Sequence, residues 1–574
     1  MEKKILSYKA LGWSVLVLAL LLLYVLIYCN LGQHLQSVFD EGFYFLDFKS
    51  DDVYTVNTRP LSLGGELLKA VFPDVVSMDV LALRRLAYCM KGLGIGLLLL
   101  GSYVFLYKGK QEKSLAPYLS LSACVLLFGL YVMHSVVVNS NDETLFFEML
   151  VLTLSLVAVS VNRGWLRGLC VGLIGCFSFF AMLCNAPAGA MLLFLCFLFL
   201  SFYKGFDKRK FVWDLASLLL GVVLGLVLTH FFVVRLGDIF VFVQEAMGQT
   251  TNGSSASHHS LTKLAVLFFL NLRDLVMTLV MLCGITYLCG LIQHGLGKKW
   301  LTIVVGVVLF VIMYKWQVKP EIKFASIMTW LVLMSWVIMR DAQPDVRIWD
   351  DKIILVLFLF LMPMAISVGS NLGFMNKATT FIVPWGVLLY FLSDMTTNSN
   401  KLFSVGILVF VFSLILFGHC RGLLLQQHDD AVFADEYPIA RMQLNENQFG
   451  FYKEVYDVLN DYGYKSQQDT ILGFCFNEMT IVAMDAVPYT NDQLPEEFLL
   501  HDKGMCVKPT FMILSEWDVE VLKPFLTLLV GEIAEEYDVF KLKNNPDPDS
   551  GYSMTQSTLY CLKNRRIKSP NFLY

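Results

Sequence analysis

Residues 39–44 read Phe39-Asp40-Glu41-Gly42-Phe43-Tyr44 and lie in a polar loop, 30–85, that follows an apolar run at 11–29. The loop continues through Arg59-Pro60-Leu61-Ser62-Leu63 and closes at Arg84-Arg85, just before the next apolar run. Ionised groups beside a bilayer are costly to keep and mark functional sites. The surrounding chain is overwhelmingly apolar. Of its 574 residues, 56% are hydrophobic and 16% charged, with a mean hydropathy of +0.61. A soluble protein of this size cannot hide so much apolar surface, so the chain reads as a polytopic α-helical membrane protein. The first loop is then the catalytic loop, and the rest is its scaffold.

Apolar runs long enough to cross a bilayer fall at 11–29, 86–107, 117–138, 144–161, 168–184, 188–203, 213–234, 264–291, 300–314, 323–339, 353–370, 378–393 and 402–418, about 13 transmembrane helices. The first is read as an uncleaved span, because it is long and ends without a small-residue cleavage site. Asn271-Leu272-Arg273-Asp274 interrupts the eighth, and 261–272 would suit an interfacial amphipathic helix. With residue 1 in the cytoplasm, the inner segments collect Lys3, Lys4, Lys9, Lys108, Lys110, Lys113, Arg163, Arg167, Lys204, Lys208, Arg209 and Lys210, while 139–143 and 185–187 carry no Lys or Arg. That asymmetry places a multi-pass protein in the inner (cytoplasmic) membrane with the first loop outside. An odd span count puts the C-terminus outside as well.

The expected domains are a transmembrane part, 1–420, and a periplasmic or extracellular α/β domain, 421–574. In the latter, Phe449, Tyr452, Val455, Tyr456 and Leu459 form a helical stripe, and Thr470–Phe476 and Phe511–Leu514 read as buried strands. A second helix is expected at Val519–Glu535. Val539–Leu542 and Thr558–Leu562 flank the turn-rich Asn545-Pro546-Asp547-Pro548-Asp549-Ser550-Gly551, which suggests a closing hairpin. Of 13 cysteines, most sit in apolar runs as packing residues. Cys420, Cys475, Cys506 and Cys561 fall in the polar part, where an outside location permits one or two disulfides.

A second acid pair lies on the same side as Asp40-Glu41. It is Asp142-Glu143, within Asn139-Ser140-Asn141-Asp142-Glu143-Thr144-Leu145 at the start of the fourth span. Helix capping would explain it, and so would a shared site. Arg59, Arg84, Arg85, Lys315, Lys319, Lys323 and Lys377 lie on the outer face, each readable as an interface anchor or as a phosphate ligand. Gly369-Ser370-Asn371 ends the eleventh span, so Asn371 either touches a substrate or only makes a turn. The 235–262 loop, with Gln244, Glu245, His258 and His259, reads as a flexible loop near the site. No tight metal-ligand spacing is visible.

Phe39-Asp40-Glu41, Thr58-Arg59-Pro60-Leu61, Leu83-Arg84-Arg85-Leu86 and Asn141-Asp142-Glu143-Thr144-Leu145 follow one another in an order that resembles the C-type membrane glycosyltransferases. The likeness is to the polyprenyl-phosphate-sugar-dependent relatives of protein O-mannosyltransferases and the aminoarabinose transferase, over roughly residues 1–200. The resemblance implies transfer of a sugar from a lipid-phosphate donor to a hydroxyl of a glycan, lipid or protein. It implies Asp40 as general base with Glu41 and Asp142 in the catalytic set. Arg59, Arg84, Arg85, Glu143, Lys377 and Asn371 would bind substrate. Beyond the lipid-phosphate sugar and membrane lipids, it calls for no cofactor and no nucleic acid, and leaves a divalent metal open. Direct attack at the anomeric carbon would invert configuration.

Three other readings stay open, one of them a non-catalytic assembly protein with a degenerate site. A transporter or flippase of a lipid-linked glycan would place charges inside its spans, and here the spans read as almost uncharged apart from Arg273-Asp274. A polysaccharide polymerase would carry a large basic outer loop midway, which 235–262 is not.

Overall fold

A computed structural model of the chain describes residues 2–30, 45, 63–108, 115–133, 140–161, 163–240, 261–296, 304, 307–308, 326–333, 335, 351–368, 374–397, 446–473, 478–489, 509–515, 518–523, 536–542 and 558–563. Helices occupy ten of the expected spans: α1 (Glu2–Asn30), α3 (Val80–Tyr107), α4 (Leu115–Val132), α5 (Ser140–Ser160), α6 (Gly164–Cys184), α7 (Ala186–Phe202), α8 (Lys208–Phe232), α9 (Leu261–Leu296), α10 (Asp351–Ile366) and α11 (Val383–Thr397). A short helix, α2 (Gly64–Val71), precedes α3. Among the described residues, six helices are long and apolar enough to cross a membrane. The protein is therefore a multi-pass membrane protein. The expected segments 300–314, 323–339 and 402–418 fall wholly or largely outside the described residues. The interruption at Arg273-Asp274 does not break α9, which runs unbroken through it. Arg273 Nη2 meets Asp274 Oδ1 at 2.8 Å on an exposed face, so the two charges answer each other locally.

The bundle is built around α4. Every residue from Leu121 to Leu130 is buried, which is what a helix that is apolar all round requires. It packs against α1, α3 and α11. The outer helices α1, α8 and α9 instead leave large apolar side chains uncovered, among them Leu18, Leu220, Phe231 and Val280. Those are the faces a bilayer would cover. Short polar side chains end the helices. Asp79 accepts the N–H of Ala82 at the start of α3, and Asn185 accepts that of Ala188 at the start of α7. With Pro187 in the first turn, Asn185 lets α6 turn directly into α7.

Two helices approach unusually closely. Gly221 and Gly225 of α8 face Gly172, Gly175 and Cys176 of α6, and a Cβ on Gly221 would overlap the Gly172 carbonyl. Small residues four apart allow the backbones to touch where no hydrophobic effect drives helices together. Arg167 of α6 and Asp214 of α8 join the same pair at 2.7 Å. Elsewhere Pro363 removes a backbone donor inside α10. Beside that break, the buried indole of Trp385 donates to the Phe360 carbonyl at 3.0 Å.

The C-terminal residues form an α/β unit. Helix α12 (Glu446–Asp461) buries Phe451, Tyr452, Val455 and Leu459, one face at helical spacing; a short α13 follows (Glu478–Ala483). The strands are β1 (Thr470–Gly473), β2 (Val487–Pro488), β3 (Phe511–Leu514), β4 (Tyr537–Lys541) and β5 (Thr558–Leu562), in the order β2-β1-β3-β5-β4. β2, β1 and β3 run parallel; β5 lies antiparallel between β3 and β4. The expected closing hairpin is thus the β4–β5 pair. β3 is buried throughout, while edge strand β4 alternates, as expected for central and edge positions. Cys561 of β5 is a buried free thiol that burial, and the nearby Asp538, push up to about 12; the expected partners Cys420, Cys475 and Cys506 lie outside the described residues. One apolar cluster joins this unit to the membrane part. It runs from Phe45, Leu68, Val75, Leu81 and Leu83 to Phe451, Val455, Ile481 and Phe511.

Replacing Gly221 by Val should separate α6 from α8. Overpacking of this kind costs about 1–3 kcal/mol or more; a lowered thermal midpoint in detergent, with Gly96→Val unchanged as the control in open space, is the expected outcome.

Candidate active site

The first turn of α5 carries Asp142 and Glu143, both nearly fully buried. Opposite stands Lys91 of α3, 1% exposed, with its Nζ 2.9 Å from Asp142 Oδ1. The same ammonium donates to the Val132 carbonyl at the end of α4, at 3.2 Å. One lysine in the middle of α3 therefore ties together the end of α4 and the start of α5. Ionised groups taken out of water pay several kcal/mol each, and only a close, hydrogen-bonded partner returns that. Lys377, on the helical turn Phe374–Lys377, lies near enough for its charge to act on Asp142 as well.

Glu143 points to the first loop. Its carboxylate lies against Gly64, where a Cβ would overlap it, and it also reaches the thiol of Cys184 at the end of α6. The N–H of Leu63 donates to the Leu183 carbonyl beside it. The descending arm of the first loop is thus seated on the α5 start and the α6–α7 turn. A carboxylate at the positive end of α2 is also electrostatically favourable.

The structure brings together three of the expected site residues. Asp142, Glu143 and Lys377 share one end of the bundle. Arg84 is buried on the same face of α3 as Lys91, two turns nearer the helix start. Arg85 points away and is exposed. Asp40, Glu41, Arg59 and Asn371 lie outside the described residues.

Three buried charged residues escaped the sequence reading, which took the spans as almost uncharged. Lys91 is one. Another is Glu148, a turn and a half deeper on α5, beside Cys196 of α7; among the described residues neither of its oxygens has a hydrogen-bond partner. The third is Asp214 of α8, and together they correct that reading. The signal was present, since Arg84 and Lys91 are seven residues apart in an apolar helix and so share a face. Among the described residues, no group of three or more His, Cys, Asp or Glu is arranged to hold a metal ion.

No protein-family model matches the chain, and no curated protein matches it in sequence. The chain is similar to two crystal structures of ArnT from Cupriavidus metallidurans. In the apo state the identity is 12% over 98% of this chain and 100% of that one, with a TM-score of 0.38. Bound to undecaprenyl phosphate it is 12% over 97% and 99%, with a TM-score of 0.37. The Archaeoglobus fulgidus oligosaccharyltransferase tethered with an acceptor peptide is likewise similar, 12% identical over 92% of this chain and 73% of that one, with a TM-score of 0.41. These are membrane glycosyltransferases of the C-type fold.

Breaking the buried pair from one side should be far worse than removing both partners. Lys91→Met or Asp142→Asn alone should cost about 3–5 kcal/mol, and Lys91→Met with Asp142→Leu should recover most of it; unfolding midpoints of the three variants check the cycle. Gly64→Ala should also destabilise, through its clash with Glu143. Adding Glu143→Ala, which removes the overlapping carboxylate, should restore the midpoint.

Proposed function

We propose that the protein is an integral membrane glycosyltransferase that moves a sugar from a polyprenyl-phosphate donor to a hydroxyl acceptor on the outer face of the cytoplasmic membrane. The observation that carries this reading is the buried Lys91–Asp142 pair, with Lys377 beside it and Glu143 holding the end of the first loop. An acid and two cations are then concentrated where the loop bearing Asp40-Glu41 returns to the bundle.

The chemistry follows from the residue types. Asp40 takes the proton of the acceptor hydroxyl, which requires hydrogen-bond reach in the bound complex. Glu41 is its neighbour in the site. The oxygen attacks the anomeric carbon as the bond to the lipid phosphate breaks, and configuration inverts. The leaving phosphate gathers negative charge, which nearby cations stabilise. Arg59, Arg84 and Lys377 are the groups assigned to it, with Asn371 on the sugar; Arg85, which points away, is not among them. Asp142, held by Lys91, keeps the cationic end neutral enough to fold without a ligand. The donor carries the reactive bond, so no separate cofactor enters this scheme.

The buried Lys91, Glu148 and Asp214 remove one argument against a transporter, since its spans too would carry charge. What favours the enzyme is the convergence of acids and cations at one end of the bundle, together with the motif order along residues 39–145.

Transfer of label from a panel of polyprenyl-phosphate sugars in proteoliposomes tests the proposal. The wild type should transfer one of them, and Asp40→Asn should lower the rate by about 10²–10⁴-fold with the thermal midpoint unchanged. Equal rates would remove Asp40 as the base. Movement of an intact lipid-linked glycan across the bilayer, without transfer, would establish the transporter instead.

A further inference from the structure

The opposite end of the bundle is as cationic as the candidate site is mixed. Lys108 follows the last turn of α3, and Lys204 lies in the turn between α7 and α8. Both ammoniums donate to one acceptor, the Val159 carbonyl near the end of α5, at 3.2 and 3.4 Å. Each carries three N–H donors and spends one there. Arg167 lies close enough to act on Lys108, and both Arg167 and Lys204 act on Lys210.

Among the described residues, three acids near this end are already engaged. Asp214 pairs with Arg167 at 2.7 Å. Asp207 accepts the Arg209 N–H at the start of α8, and Asp351 accepts the backbone N–H of Lys204 at 2.7 Å. Lys210 donates to the Tyr203 carbonyl at 2.9 Å. Among the described residues, neither Lys108 nor Lys204 pairs with a carboxylate. Helix ends supply only about half a negative charge apiece, too little for this many cations. Burial and the neighbouring Lys204 hold the Lys108 ammonium below the ordinary lysine range.

Two observations set the depth and the rigidity of this end. Trp165, Phe202, Phe206 and Trp213 stand exposed beside the cluster, the aromatic belt of a membrane–water boundary. Lys204 holds a left-handed backbone, φ 65°, followed by Gly205 at φ 85°. Few L residues adopt it, and this tight turn sets the backbone position from which the exposed Lys204 side chain extends.

We propose that Lys108 and Lys204 clamp the phosphate of an anionic phospholipid headgroup at this end of the bundle, with Lys210 beside them. Charge complementarity selects the headgroup, and the aromatic belt places its acyl chains along α6 and α8. The site is separate from the proposed sugar transfer and does not depend on it.

The test adds phosphatidylglycerol or phosphatidylcholine to the full chain in neutral detergent and follows the thermal midpoint. Phosphatidylglycerol should raise it by about 2 °C or more over phosphatidylcholine. Lys108→Gln with Lys204→Gln should lose most of that gain, while Lys453→Gln on α12 should keep it. The charge-preserving pair Lys108→Arg with Lys204→Arg should also keep it, which separates lost charge from lost folding. An undiminished gain in the glutamine variant would overturn the proposal. So would an equal gain from inorganic phosphate, which would make this a free-anion site.

Discussion

An ammonium and a carboxylate share a site from which water is excluded, and one end of the bundle is arranged to keep them together. Lys91 and Asp142 belong to different helices, and Lys91 also holds the last carbonyl of a third, Val132. Neither charge is tolerable there alone. The start of α5, the end of α4 and the middle of α3 are therefore fixed relative to one another by electrostatics as well as by packing. Glu143, next in sequence to Asp142, extends that fixed point to the first loop through Gly64. The described end of the first loop gains a defined anchor from this arrangement.

The two ends of the bundle solve different problems with charge. At one end, acids and cations meet in buried pairs and a reactive group can be held in register. At the other, among the described residues, several cations gather on helix carbonyls. Between them the helices stay close through backbone contact of glycines, as in α6 and α8. Such contact is a packing solution suited to lipid, where burying apolar side chains gains little.

The α/β unit shares apolar surface with the start of α3 and with α2. Its core and the loop's landing site form one cluster. Disturbing either therefore disturbs the other, and the C-terminal unit contributes to where the first loop ends. Burial of β3 on both faces, against helices and cluster, gives the unit a core of its own.

Much was legible locally. The apolar runs placed ten helices that the structure describes, and Phe511–Leu514 and Thr558–Leu562 are strands at the residues their patterns mark. Hydropathy and the periods of 3.6 and 2 are properties of short windows, so the chain alone determines them. The acid pair 142–143 stood out for the same reason, being polar in an apolar setting. What only the tertiary structure decided is which groups meet. Lys91 lies 51 positions from Asp142, and Gly64 lies 79 from Glu143; both meetings depend on how each helix is rotated about its axis and how deep it sits. A lysine inside an apolar run looks the same in sequence whether it faces lipid or a carboxylate. The low dielectric of the interior makes only the second arrangement stable, and that choice is made by the assembled bundle.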